Sequence, residues 1–244
     1  MQPYELTLSE AAELIGSKQL SPVELTESVL GRIDAVDGKV GAFALVTAER
    51  AMNDAKRAAD EIAAGNYRGA LHGVTVGVKD LVDTADIATT SSSKTRLDNV
   101  PSADAAVVER LSGAGAVLVG KTHTHEFAYG VLTPTTRNPW NLEHIPGGSS
   151  GGSAAAIASG MCHGAIGTDT GGSIRIPSSV CGTVGLKPTY GRVSRRGITS
   201  LSWALDHVGP ITRTVRDAAL MMNVLAGYDR ADPGTVNEPV PDFT

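Results

Sequence analysis

An α/β fold with a mixed, partly parallel sheet flanked by helices is what this sequence predicts, on three observations. Two apolar runs of strand length, Val74–Val78 and Ala116–Val119, are separated by a helix-length segment. That alternation builds parallel strands joined by crossover helices and covered on both faces. Capped helical segments precede these runs. A small-residue helix, Ala154–Ser159, is followed by a further strand-like run at 165–168.

The elements follow in order. Thr7-Leu8-Ser9-Glu10 has capping-box spacing and opens a helix over about 8–17. Ser21-Pro22-Val23-Glu24 repeats the spacing with proline at the first helical position and opens a second over about 22–36, where Val23, Leu25, Val29 and Ile33 keep the helical apolar rhythm. Phe43–Val46 is a short strand. The Ala-rich segment 48–64 stops at Gly65-Asn66. Residues 1–66 thus form a helical flank. An α/β core is expected over 67–228. It begins with the strand Val74–Asp80, which carries Lys79 near its end, and a polar loop, 84–99, with a Ser91-Ser92-Ser93 run. Ser102 caps a helix through about Leu111, broken by Gly113 and Gly115, and the strand 116–119 follows. Further strands are expected at 165–168 and 184–186. Thr214-Val215-Arg216-Asp217 opens a last helix with Val215, Ala218, Ala219, Met222 and Leu225 inward and Gly227 as its stop. Residues 229–244 are polar and proline-rich, a linker-like tail.

Composition excludes several function classes. At 41% apolar the chain fills a sizeable core, and a net charge of −5 without a basic cluster argues against nucleic-acid backbones and anionic membrane surfaces. Aromatics at 4% are too few for a base-stacking surface. No apolar run approaches the roughly 20 residues of a membrane span. The N-terminus lacks a signal-peptide layout, and two isolated cysteines fit a reducing compartment. The expectation is a cytoplasmic protein.

Three motifs look chemical and fail on context. Gly115–Thr122 fits the phosphate-loop spacing, but its variable residues are Ala-Val-Leu-Val, a strand-forming run rather than a loop that wraps phosphates. Gly147–Gly151 fits the G-x-S-x-G nucleophile elbow, but it follows the loop-like Asn141–Pro146 rather than a strand, and the acid and histidine that follow, Asp206-His207, are adjacent. His123 and His125, with Glu126, have no third ligand spaced to complete a metal site. No metal and no cofactor is implied. Cys162 and Cys181 read as small buried hydrophobes.

The stretch Gly147–Pro177 holds two Ser-Gly clusters, Gly147–Ser153 and Thr168–Ser173, around the Ala-rich helix. Glycines there permit close backbone approach around a reacting centre. A serine hydroxyl needs a base within hydrogen-bond reach, and no histidine is embedded in these clusters. A lysine at the end of an apolar strand, Lys79, can serve when burial lowers its pKa; an ion pair with Asp80 or Asp83 is its structural alternative.

Gly147–Pro177 resembles the signature of the amidase signature family, serine hydrolases that cleave carbon–nitrogen acyl bonds. The match runs from Gly147-Gly148-Ser149-Ser150-Gly151-Gly152 through Asp169, Gly171, Ser173, Arg175 and Pro177, and Gly77–Asp80, Gly185–Ser194 and Asp206–Pro210 also look like family segments. The resemblance implies the amidase signature fold and a triad of Lys79 as general base, Ser149 as relay on a cis Gly148–Ser149 bond, and Ser173 as nucleophile. It implies an oxyanion hole from the backbone N–H groups of Thr170, Gly171, Gly172 and Ser173, with Thr168, Asp169 and Arg175 in support. Family members run further, so a C-terminal half that completes the sheet and acyl pocket is expected to be missing. The implied activity is hydrolysis of a linear, small-molecule amide through a Ser173 acyl-enzyme. A glutaminase-type subunit of an amidotransferase complex and a catalytically inert binding fragment are the alternatives, and a homo-oligomer is left open.

Overall fold

The computed structural model describes residues 2–244. Its strands are β1 (Phe43–Val46), β2 (Thr75–Lys79), β3 (Val117–Thr122), β4 (Gly164–Asp169), β5 (Val184–Gly185) and β6 (His207–Thr212). They form one sheet in the order β1-β3-β2-β4-β6-β5. The central trio β3, β2 and β4 is parallel, whereas β1 and β6 pair antiparallel. The expected mixed, partly parallel sheet is present. Its helices are α1 (Leu8–Gly16), α2 (Pro22–Val40), α3 (Ala48–Ala63), α4 (Ala106–Gly113), α5 (Gly151–Ala158), α6 (Arg175–Cys181) and α7 (Val215–Leu225).

The two-residue period of the strands divides the interior into two cores. Val76, Val78, Leu118, Ile166 and Val208 face α1, α4 and α7. The alternate residues Val117, Val119, Ala165 and Ile211 face α2, α3, α5 and α6. At about 25 cal/mol per Å² of apolar surface removed from water, such burial is what drives helices onto both faces.

Several boundaries differ from expectation, each for a local reason. α2 continues to Val40 because its stop is Gly41, at φ +63°, whose N–H donates to Asp37 O. Ser102 does not cap α4, which starts at Ala106 without a side-chain cap. Residues 104 and 105 are instead tied to the loop after β2, Asp104 Oδ1 accepting from Ala85 N (2.7 Å) and Ala105 N donating to Asp83 O (2.9 Å). Val215 is 72% exposed rather than inward. At the first turn of α7 it is Asp217 that turns in, capping Thr214 and accepting from Ser9 N at 2.9 Å. The strand β6 has no counterpart in the expected elements. Pro210 lies inside it, opposite Ile166 of β4. It is tolerated because β5 ends at Gly185, opposite Ile211, so no strand residue needs the missing N–H, while the Pro210 carbonyl still accepts from Leu186 N (3.1 Å).

Residues 229–244 contain no helix or strand and run along the body. Val236 N donates to Gly191 O, Asn223 Nδ2 donates to Asp242 Oδ1, and Phe243 packs on the α1/α4/α7 core.

Candidate active site

Parallel strands present their last residues at one edge of the sheet, and the predicted site residues gather there. Lys79 ends β2, whose five residues are all buried, and Thr168 and Asp169 end the neighbouring β4. Val78 pairs with Ile166, which sets Lys79 level with the residues just before Asp169. The Lys79 Nζ donates to Ser149 Oγ and to Thr168 Oγ1, both at 2.8 Å, and no part of the side chain is exposed. Burial disfavours the ammonium and pushes its pKa down to about 7, while the Asp169 and Asp206 carboxylates pull it part of the way back. No ion pair joins Lys79 to Asp80 or Asp83 among the described residues.

Ser149 sits before the first turn of α5, fully buried, after a cis Gly148–Ser149 peptide. Its carbonyl accepts from His125 N (3.0 Å) and Thr133 Oγ1 (3.2 Å). The first turn of α5 is pressed against the strand edge. A Cβ on Gly152 would stand 2.5 Å from Ala42 O and from His123 N, which leaves room for glycine alone.

The second cluster is braced by Asp169. Its buried carboxylate accepts from Gly172 N (2.8 Å), Ile174 N (3.1 Å) and Arg175 N (3.3 Å), and from Arg175 Nε (3.0 Å) and Nη2 (2.9 Å). Burial raises its pKa, but these donors outweigh that and hold the carboxyl below its ordinary value. The loop therefore curls around one side chain, and Ser173 is carried at its turn. The Ser173 carbonyl accepts from Ser150 N (3.1 Å), which stitches the two clusters together. Ser173 is 7% exposed, and its Oγ has no hydrogen-bond partner among the described residues. The Lys79–Ser149 contact is thus formed, and the Ser149–Ser173 contact is not.

Of the four expected oxyanion donors, Gly172 is corrected. Its N–H points into the Asp169 carboxylate and is committed there. The N–H groups of Thr170, Gly171 and Ser173 have no such acceptor among the described residues. Gly171 faces open space, with nothing within 4 Å of an added Cβ.

Asp206 is a residue whose place sequence reasoning missed. Its Oδ1 accepts from Thr170 Oγ1 at 2.5 Å, and its Oδ2 accepts from Ser200 Oγ, Leu201 N and Ser202 N at 2.8–2.9 Å. It folds the 200–206 loop beside the site. A cavity of about 350 Å³ lies between that loop and the end of β4, bounded by Thr168, Thr170, Asp206, Ile198, Trp203 and Ala128. The available signal was the family-like segment Asp206–Pro210, but nothing in it marks the side chain that Asp206 would meet.

The rejected motifs have structural roles. Val117–Thr122 of the phosphate-loop match is β3, its backbone in the sheet ladder. Lys121 is buried and donates to Val82 O (2.6 Å), Thr89 Oγ1 (2.6 Å) and Thr84 Oγ1 (3.3 Å). His123 Nδ1 meets Ser92 Oγ, and His125 Nδ1 accepts from Leu132 N. Cys162 and Cys181 are buried and free, their thiols pushed up to about 12 by burial.

Residues 24–244 match the Amidase family model. The chain is 51% identical over 249 residues to a glutamyl-tRNA(Gln) amidotransferase subunit of Geotalea daltonii, and 48% over 248 residues to the corresponding subunit of Moorella thermoacetica. Each match covers 100% of this chain and 51% of the relative, so the chain spans about half the length of the curated relatives it matches. Among solved structures, the peptide amidase from Stenotrophomonas maltophilia superposes with a TM-score of 0.92 at 37% identity, covering 98% of this chain and 52% of that one. The glutamyl-tRNA(Gln) amidotransferase subunit from Thermotoga maritima gives 0.85 at 40%, covering 98% and 51%. A chain from a vestigial complex linked to the origins of an s-triazine catabolic enzyme gives 0.94 at 41%, covering 97% and 53%.

Proposed function

The chain belongs to the amidase family, and from that premise we propose that it carries the catalytic centre of a serine amidase acting on a small-molecule amide. The observation that carries this reading is a fully buried Lys79, 2.8 Å from Ser149 Oγ, with its pKa brought down to about 7.

At neutral pH a large share of Lys79 is the free amine, and a free amine can accept a proton. Ser173 Oγ attacks the amide carbonyl carbon. Its proton passes to Ser149 Oγ as the Ser149 proton passes to Lys79 Nζ, over the 2.8 Å contact already present. The carbonyl π pair moves to oxygen, and the anion is held by the free N–H groups of Thr170, Gly171 and Ser173, the arrangement that stabilises charge as it develops. Collapse of the tetrahedral species breaks the carbon–nitrogen bond. The leaving amine takes the Ser149 proton while Ser149 recovers one from Lys79. Water then repeats the attack on the Ser173 acyl ester and releases the acid. Asp169 and Arg175 hold the donor loop, and Thr168 holds Lys79 Nζ.

Alanine at Ser173 or Lys79 in the full-length protein tests this. Amide turnover, measured as ammonia release, falls at least about 10³-fold in each; near-normal turnover in either variant refutes the assignment.

A second reading, a glutaminase-type subunit feeding ammonia to a partner, is favoured by the amidotransferase relatives. Co-purification with a different polypeptide, and glutamine turnover that depends on it, would select it. The free, buried cysteines support a cytoplasmic setting.

A further inference from the structure

The triad leaves three features near the site without a role: the Ser91-Ser92-Ser93 run, the His123–Glu126 segment and the buried Asp80. The structure joins them. Asp80 follows Lys79 at the end of β2 and is 1% exposed. Its carboxylate accepts from Thr90 Oγ1 (2.5 Å), from Thr90 N (3.2 Å) and from Ser92 N (3.2 Å), and its carbonyl accepts from Ser91 N (2.7 Å). One residue therefore captures three consecutive residues of the polar loop.

The captured residues have an uncommon backbone. Ser91 and Ser92 lie at φ +55° and +50°, in the left-handed region that L side chains seldom adopt. In this conformation they reach the segment after β3. Ser91 O accepts from Phe127 N (3.1 Å), Ser92 Oγ accepts from Thr124 N (3.1 Å), and Ser93 Oγ donates to Glu126 Oε1 (2.6 Å). Phe127 and Ala128 are themselves at φ +49° and +61°. The segment so held presents His125 N to Ser149 O at 3.0 Å.

We propose that Asp80 is a positioning residue that fixes the main chain of Ser149 through the Ser91–Ser93 and Thr124–Phe127 segments, while its neighbour Lys79 acts on the Ser149 hydroxyl. The last residue of β2 and the residue that follows it thus hold the side chain and the main chain of the relay serine. The inference rests on the reading of Ser149 as the relay. It adds a role for Asp80 in geometry rather than in proton affinity: the carboxylates that raise the Lys79 pKa are Asp169 and Asp206.

The experiment is a double-mutant cycle, Asp80→Asn and Ser92→Ala, in the full-length protein. Readouts are steady-state amide hydrolysis and labelling of Ser173 by a fluorophosphonate. Asp80→Asn sets an amide NH₂ against backbone donors. Displacing Ser149 by about 1 Å lowers kcat by about 10²-fold. KM changes by less than about twofold, and the pH limb set by Lys79 stays in place. Ser92→Ala gives a smaller loss of the same kind. The double variant is no worse than Asp80→Asn, because both act along one path. Should Asp80→Asn fail to fold, Thr90→Val, which removes only the 2.5 Å hydroxyl bond, takes its place in the cycle.

A kcat within about threefold of wild type, or losses that multiply in the double variant, overturns the inference. A wild-type protein that is neither labelled at Ser173 nor active overturns the underlying site reading instead.

Discussion

Replacing Lys79 by methionine converts its buried amine into a pH-dependent stability difference. The side chain has an ordinary pKa of 10.5 in the unfolded chain and about 7 in the folded one. Between those values the unfolded state holds the proton and the folded state does not, so the unfolded state binds more protons and stability rises with pH. Below about pH 7 both states are protonated and the contribution is flat; above 10.5 it saturates. At 1.36 kcal/mol per pKa unit, wild type gains about 2.7 kcal/mol on Lys79→Met between pH 6 and pH 9. The variant also leaves the Ser149 and Thr168 hydroxyls without the amine, at about 1–3 kcal/mol for each buried group. That offset does not depend on pH, and other titrating groups cancel in the difference. Urea unfolding of both proteins at pH 6, 7, 8 and 9 measures it. Curves that remain parallel across that range would mean that Lys79 keeps an ordinary proton affinity when folded. It would then be an ammonium at neutral pH and unable to accept a proton from Ser149, which removes the basis of the mechanism.

Three further outcomes follow from the same geometry. Wild-type kcat/KM rises through a single limb centred near pH 7; in Asp169→Asn the limb moves to lower pH, because that carboxylate raises the Lys79 pKa, and the fold loses about 2 kcal/mol, less than for a fully buried ion pair since the Arg175 side chain is 52% exposed. Gly171→Ala leaves the melting temperature within a few degrees, since an added Cβ meets nothing within 4 Å, while kcat/KM falls at least about tenfold as the methyl enters the space of the reacting carbonyl; unchanged turnover argues against Gly171 as an oxyanion donor. Gly152→Ala, by contrast, forces a methyl to 2.5 Å from Ala42 O and from His123 N, and thermal unfolding should register a loss of roughly 3 kcal/mol.

How far the site was legible in the sequence depends on the range of the interactions that build it. Local signals carried the helices: the capping box at Thr7, the proline at the start of α2 and the helix start at Thr214 stand where the sequence put them, whereas Ser21 caps α2 by accepting from Val23 N and not through a box with Glu24. They failed where a distant partner competed. Ser102 lost its helix to the contacts that tie residues 104 and 105 to the 83–85 loop, and Val215 lost its inward place to Asp217, which reaches back to Ser9. β6 was hidden because Gly209 and Pro210 carry no strand preference, and only pairing with β4 makes them a strand.

The gathering of Lys79 and Ser149, 70 residues apart, is a property of topology rather than of either motif. β2 and β4 are parallel neighbours, so Lys79 at the end of one and Thr168-Asp169 at the end of the other must emerge on the same edge. Sheets of this kind place their sites at that edge. The Asp169 carboxylate then acts in two ways. It draws the Gly172–Arg175 backbone into the turn that carries Ser173, and it opposes the desolvation of Lys79. Without the brace the donor loop would have no fixed curl; with a stronger field the lysine would stay charged. A buried carboxylate whose charge is largely committed to Arg175 and to backbone N–H groups meets both demands. On the proposed mechanism, the aspartate and arginine six residues apart on either side of Ser173 serve the chemistry of the site as well as its fold.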